Sequence, residues 1–468
     1  MPPAHHRLVR TVAVVLLAVL VLTGCAPRLV RGAASPAPVD VTDVAAADLP
    51  VAGAVDDPVD RVARDSLADL TIFWTQQFPA VFGRAFTPLA GGFSSVDPDD
   101  ADPARYPGGR IGCGELPTAV EGNAFYCPPG DGVVDGDSIQ YDRSFLAGLA
   151  TDHGPFIPAL VMAHEFGHAV QARVGYPGTS IAVETQADCF AGAWTRWVAA
   201  GSAQHSTIRA PELDEVLRGY LLLRDPVGTS RSVDAAHGSY FDRVSAFQQG
   251  FDGGAAGCRD GFGVDRQFTQ SAFTRDQDLA TGGNAGYAEV VRTFAPQGLA
   301  EFWTAAFAAL GRAPFRPPVL IPSSRTAPAC GGTTADADLS WCPGDRTVRF
   351  DERDLTRPLY DEVGDYAVLT ALAVPYALAA RNQLGRAPTG QAAVRSAVCL
   401  AGAFTQAVLD GQVPSTGISP GDVDESVRFL LEHGTEPSVL GSAGLTGFQL
   451  VDVFRGGVLG GLPACGVG

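Results

Sequence analysis

His164 and His168 stand four residues apart in an apolar run, Val161 to Gln171, with Glu165 directly after the first of them. On a helix, positions i and i+4 share a face, so both imidazoles can turn towards a single ion. Glu165 then lies beside that ion, where a carboxylate can take a proton from an attacking water and hand it to a leaving amine. Catalytic zinc takes three protein ligands of the N and O kind and keeps one position open. The third ligand is expected from Glu184, 184 − 168 = 16 residues beyond His168, enough chain for a turn and a returning helix. Asp188 follows one helical turn later, on the same face as Glu184, and can accept the free ring N–H of His164, fixing its orientation. The residue types therefore point to one zinc ion held by His164, His168 and Glu184, with Glu165 as the proton-transfer group and Asp188 behind the metal.

Those residues need elements to carry them. Periodicity predicts a helix over 157–174, with Pro158 in its first turn and Gly175-Tyr176-Pro177-Gly178 ending it. A second helix is expected over 184–200 and a third over 214–223, with an earlier one over 60–86. Asn123-Ala124-Phe125-Tyr126 and the stretch 135–141 read as strands. Strands first and helices after give an α+β domain.

The chain then repeats itself. Phe73-Trp74-Thr75 returns as Phe302-Trp303-Thr304, Cys127-Pro128 as Cys342-Pro343, and Asp188-Cys189-Phe190-Ala191-Gly192-Ala193 as Val398-Cys399-Leu400-Ala401-Gly402-Ala403. Leu213-Asp214-Glu215 returns as Val423-Asp424-Glu425, at an offset of 424 − 214 = 210. At that offset His164, Glu165, His168, Glu184 and Asp188 become Val374, Pro375, Leu378, Val394 and Val398. Packing residues persist and chemical ones vanish, so residues 284–468 are expected to be a degenerate, metal-free copy of a peptidase domain at 59–265, joined by a connector over 259–283. The copy is expected to cover the active domain, bind substrate or dock a partner protein. Eight cysteines follow the same repeat, predicting the pairs Cys113–Cys127, Cys189–Cys258, Cys330–Cys342 and Cys399–Cys465.

The 468 residues suffice for two domains, and with 46% apolar and 18% charged residues the chain reads as globular. Its net charge is −18, and its basic residues are all Arg, a balance that excludes nucleic acid as a partner. The start is an address rather than fold: Arg7 and Arg10 precede a short apolar stretch, Thr11 to Leu22, too short to span a bilayer. Leu22-Thr23-Gly24-Cys25 resembles a bacterial lipobox. It implies a signal peptide over 1–24, a lipidated Cys25 that anchors the chain to the outer face of the membrane, and a flexible tether over 25–58. Losing Arg7 and Arg10 takes the charge to −18 − 2 = −20. Cysteines left paired agree with an oxidising, extracytoplasmic compartment.

His164-Glu165-Phe166-Gly167-His168-Ala169-Val170-Gln171 followed by Glu184-Thr185-Gln186-Ala187-Asp188-Cys189 resembles the neutral zinc metallopeptidase family of bacterial membrane-associated proteins. Further matches are Cys113-Gly114, Phe125-Tyr126-Cys127-Pro128, and His237-Gly238 with Arg243 and Gly250. The resemblance covers about residues 110–258 and implies a thermolysin-like, zincin-type arrangement: two His, then a Glu with an Asp four residues on. It also implies that Asn123, Ala124 and Phe125 form the edge strand on which a polypeptide substrate is laid, as in an endopeptidase. The chain departs from the family in carrying two copies and in a slightly shorter step from His168 to Glu184. An oxyanion needs a donor besides the ion; His237 is the candidate, with Arg243 behind it and Tyr126 and Tyr240 as weaker ones. His153 and His205 read as surface residues. The competing expectation is a non-catalytic envelope lipoprotein in which zinc is structural or absent and partner binding is the task.

Overall fold

The computed structural model describes residues 41–467, apart from 131–132, 324–329 and 331–336. The expected signal peptide 1–24, the lipidated Cys25 and the tether as far as residue 40 lie outside the described residues.

Helix α1 (Pro58–Phe82) opens at Asp57, whose carboxylate accepts the N–H groups of Val59 and Asp60, with Pro58 in the first turn, where its missing N–H is not needed. Strands β1 (Gly92–Val96), β2 (Ala124–Cys127) and β3 (Ser138–Asp142) form a mixed sheet in the order β1-β3-β2, with β1 parallel and β2 antiparallel to β3. That order leaves β2 on an edge. Asp142 ends β3 and caps α2 (Arg143–His153) by accepting from the Ser144 and Phe145 N–H groups. Four longer helices follow: α3 (Ile157–Val174), α4 (Ser180–Ala199), α5 (Ala210–Leu223) and α6 (Tyr240–Asp260).

The C-terminal half runs through α7 (Ala295–Ala309), β4 (Val319–Ser323), β5 (Leu339–Cys342) and β6 (Thr347–Asp351). It continues with α8 (Asp365–Gln383), α9 (Gln391–Leu409), α10 (Asp422–Glu432) and α11 (Gly447–Ala464). Its sheet is ordered β4-β6-β5, again one parallel and one antiparallel pair. Two small mixed sheets among many helices make this an α+β protein. Helix α9 is apolar enough to cross a bilayer, yet 72% of its most apolar window is buried inside the fold, as in a core helix.

Several expected boundaries move. The 135–141 strand begins only at Ser138, because Asp135 and Asp137 adopt left-handed backbone angles (φ 51° and 59°) and make a turn. Helix α4 starts at Ser180, four residues before the expected Glu184, so the third candidate ligand sits in the second turn. Residues 41–57, expected as part of the tether, are packed instead. Val51 is buried, the Val44 N–H donates to Asp65 at 2.7 Å, and Ala52 exchanges backbone hydrogen bonds with Phe93 and Ser95 beside β1. The 259–283 connector is also packed: Thr269 and Gln270 donate their N–H groups to the buried Asp242.

The two halves do not hold separate cores. One apolar cluster runs from Trp74, Phe190 and Trp194 through to Trp303, Tyr376 and Phe404, and the described residues form one compact unit. Phe448 of α11 packs against Phe247 and Phe251 of α6 with ring centroids 6.4 and 4.9 Å away. The four disulfides are Cys113–Cys127, Cys189–Cys258, Cys330–Cys342 and Cys399–Cys465, as the repeat predicted. Each constrains the unfolded chain by an amount typically worth about 2–4 kcal/mol. Four disulfides are the mark of a chain that folds in an oxidising, extracytoplasmic compartment.

Candidate metal centre

Helices α3 and α4 cross where Gly167 meets Ala187. A Cβ on Gly167 would lie 2.9 Å from the Ala187 Cα, so only glycine lets the two backbones come this close. The approach brings His164 and His168 against Glu184. The His164 and His168 Nε2 atoms are 3.1 Å apart, His164 Nε2 is 3.2 Å from Glu184 Oε2, and His168 Nε2 is 3.6 Å from Glu184 Oε1. Ligands at about 2.0–2.2 Å from a tetrahedral zinc are separated by about 3.3–3.6 Å. The observed separations, which run to the two oxygens of Glu184, are close to that range.

Hydrogen bonds on the far side of each ring decide which atoms face inward. His164 Nδ1 is 2.8 Å from Asp188 Oδ1, and an ionised carboxylate only accepts, so Nδ1 carries the proton. His168 Nδ1 is 2.9 Å from Gln171 Oε1. The Gln171 amide nitrogen is committed to Val183 O (2.7 Å) and Gln186 Oε1 (3.1 Å), so its oxygen must face the ring and accept. Both neutral rings therefore aim Nε2 lone pairs at one another and at a carboxylate. Only a cation satisfies three such acceptors, and the donor set of two imidazoles and one carboxylate suits zinc. In the absence of an ion, a proton takes that place. Burial resists charge on His164, but Asp188 and Glu184 outweigh it and push the ring up to about 10. Burial likewise opposes ionisation of Glu184, yet hydrogen bonds from the two rings hold it well below the usual carboxylate range.

Asp188 is fully buried and held ionised: burial resists, but Arg243 and His164 prevail. Arg243 meets it bidentately, with Nε 2.8 Å from Oδ2 and Nη2 2.8 Å from Oδ1, and its Nη1 donates to the Leu223 carbonyl. Arg243 thus spends its donors on Asp188 rather than on an oxyanion, and the Tyr220 ring lies under its guanidinium at 5.3 Å. Arg243 can reach because α6 lies almost on α4. A Cβ on Gly192 would meet Phe247 O at 2.0 Å and one on Gly250 would meet Cys189 O at 1.8 Å. The Cys189–Cys258 disulfide ties the same pair of helices.

Glu165 faces the cleft beside the three candidate ligands. Its Oε2 accepts the Tyr126 N–H of β2 at 2.8 Å, and burial pushes its carboxyl up. Since the Tyr126 N–H points away from β3, strand alternation turns the Ala124 backbone groups outward to the cleft as well. Asn123 closes the sheet instead, its carbonyl accepting from the Asp142 N–H at 2.9 Å. The cleft has a volume of about 450 Å³. Asn123, Ala124 and Phe125 line one side, and Phe145, Leu160, Val161 and Val183 give it an apolar wall.

His237 lines the same cleft, with its side chain 48% exposed. Its Nδ1 is 3.1 Å from Asp225, which also accepts the His237 and Gly238 N–H groups and the Gln270 amide. Tyr126 and Tyr240 do not offer a donor here: the Tyr126 hydroxyl donates to Asp137 at 2.7 Å, and Tyr240 is buried. Asp225, Gln171 and Tyr220 were missed in the sequence. Gln171 was legible, one turn beyond His168 on the motif helix. Asp225 was not, because it lies 12 positions from His237 across an irregular loop.

Residues of this chain are 30% identical over 174 residues to uncharacterized proteins of Mycobacterium tuberculosis and Mycobacterium bovis, covering 31% of this chain and 57% of theirs. A similar match, 31% identical over 167 residues, links it to the uncharacterized protein YpfJ of Escherichia coli, covering 31% of this chain and 55% of that one. The chain thus spans little more than half the length of the curated relatives it matches. No family model and no solved structure matches it.

Proposed function

We propose that the chain is a zinc-dependent peptidase of the zincin type, acting on polypeptides outside the cytoplasm. One observation carries this reading: two ring nitrogens and a carboxylate aim their lone pairs at a common point, with a buried Glu beside them. His164, His168 and Glu184 would hold the ion. Once bound, zinc supplies Lewis acidity, polarising a peptide carbonyl and lowering the pKa of water in its open position to near 7.

The chain's own groups do the rest. Glu165 is anchored by the Tyr126 N–H through Oε2, while Oε1 has no hydrogen-bond partner among the described residues. That oxygen takes a proton from the attacking water and returns it to the leaving amine. A substrate strand pairs with the outward backbone of Ala124 on β2, which favours endopeptidase action with little sequence preference. His237 donates from Nε2 to the developing oxyanion, with Asp225 holding the ring through Nδ1.

The same reading makes residues 284–468 a degenerate copy. Support comes from the matching sheet order, the matching disulfides and the matching glycines: a Cβ on Gly402 or Gly457 would strike Phe454 O or Cys399 O at 2.1 and 1.9 Å. The lipid anchor at Cys25 rests on its lipobox alone.

The deciding experiment is Glu165→Gln. The variant is expected to bind one zinc per chain, as the wild type does, and to lose peptidase activity by about 10²–10⁴-fold. Unchanged cleavage by that variant removes the peptidase reading. If the wild type binds zinc and the Glu165→Gln variant does its work in cells equally well, a non-catalytic lipoprotein is supported instead.

A further inference from the structure

Asp424 belongs to the C-terminal half, yet its bonds end in the candidate centre's supporting loop. It is 3% exposed in the first turn of α10. Its Oδ1 accepts the Phe241 N–H at 2.9 Å and its Oδ2 the Tyr240 N–H at 3.2 Å, two N–H groups in the first turn of α6 that have no partner within the helix. The same Oδ2 is 2.9 Å from Arg224 Nη1, at the end of α5. One carboxylate therefore fastens both ends of the loop 225–239. That loop carries Asp225 and His237. Immediately beyond it, on the capped first turn of α6, Arg243 grips Asp188, and Asp188 orients His164.

The arrangement has a twin. Asp214, which corresponds to Asp424 in the repeat, crosses the other way from α5 and accepts the Gly447 and Phe448 N–H groups at 3.1 and 2.7 Å, capping α11. The two carboxylates form a reciprocal clamp between the halves, as in an interface with two-fold symmetry. They differ in what stands behind the capped helix. Behind α6 lie Arg243, Asp188 and His237. At α11 the positions corresponding to His237 and Arg243 are Gly444, just before the helix, and Leu450 within it. Among the described residues, none of the C-terminal half lines the cleft around His164.

We propose that Asp424 is a positioning residue for the metal centre, and that the C-terminal half is retained as a permanent buttress which sets His237 and the Arg243–Asp188–His164 chain through it. This inference rests on the metal reading above but not on peptidase activity. The test compares Asp424→Ala with Asp214→Ala in the full chain. Both remove a helix cap at the same interface, so both are expected to lower the melting temperature to a similar degree. Only Asp424→Ala is expected to change the visible spectrum of the cobalt(II)-loaded protein, weaken cobalt binding about tenfold, and lower kcat on a quenched fluorescent peptide about tenfold with KM little changed. Asp214→Ala keeps the wild-type spectrum and kcat. The inference is overturned if Asp424→Ala has the wild-type spectrum and kcat, or if Asp214→Ala alters them as much. Should Asp424→Ala fail to fold, Arg224→Met, which removes one limb of the clamp, is judged by the same outcomes. A wild type that binds cobalt but cleaves nothing sinks the peptidase reading alone, and the spectra still decide the clamp. A wild type that takes up no cobalt overturns the metal reading and the clamp together.

Discussion

Each ring nitrogen in the centre is assigned by the partner on its far side: Asp188 for His164, Gln171 for His168, Asp225 for His237. The first two partners fix lone pairs inward. The third fixes the ring's orientation through Nδ1 and leaves Nε2 without a partner among the described residues. His237→Ala is therefore expected to keep its zinc while kcat falls about 10²-fold with KM nearly constant. Asp225→Asn is expected to lie between that variant and the wild type, and steady-state kinetics beside metal analysis checks both. A zinc-replete His237→Ala protein with wild-type kcat would remove this residue from the reaction.

Helix packing decides whether those residues can meet at all. Gly167 lets α3 and α4 approach, and adding one methyl there forces backbone apart. Gly167→Ala is expected to cost about 1–3 kcal/mol of stability and to weaken zinc binding at least tenfold. Gly148→Ala in α2, where a Cβ meets nothing within 4 Å, serves as the control and is expected to be neutral or stabilising. Another packing consequence is electrostatic. At the starts of α8 and α10, Asp365, Asp422 and Glu425 crowd together, and one Asp365 oxygen is buried without a partner. Burial pushes Asp365 from 3.8 up to about 6. Its folded pKa is raised, so its contribution to stability is present below about pH 4 and is lost as pH rises through about 6. Asp365→Asn is expected to remove that loss and raise the melting temperature at pH 7 but not at pH 4. Melts of both proteins across this range decide it; parallel curves would count against the buried charge.

For the molecule as a whole, the absence of a seam matters most. Phe247 and Phe251 pack on Phe448, the Gln248 amide donates to the Phe448 carbonyl, and Arg455 pairs with Asp252, all between halves. A shared core predicts one calorimetric transition for the described region rather than two. Two well-separated transitions, one silent to zinc, would mean that the halves fold independently and that Asp424 has little leverage on the centre.

The motif helix, the meeting of Glu184 with its two histidines, the buried Asp188 behind His164 and all four disulfides were legible in the sequence. Spacing on a helix is set locally, and a repeated cysteine pattern narrows its own pairing. The start of α4, the turn before β3 and the packed segment 41–57 were misplaced, since tertiary contacts override weak local preference at element ends. What no spacing could reveal was anything joining residues far apart in the chain. Glu165 meeting the Tyr126 N–H, Arg243 committed to Asp188, Asp225 behind His237, and Asp424 reaching across from the other half are all of this kind. Local sequence determines which side chains share a face of one helix. Which backbone donors and charges converge from different elements is decided only when the helices pack, because hydrogen bonds and ion pairs act over a few ångströms of space and not along the chain.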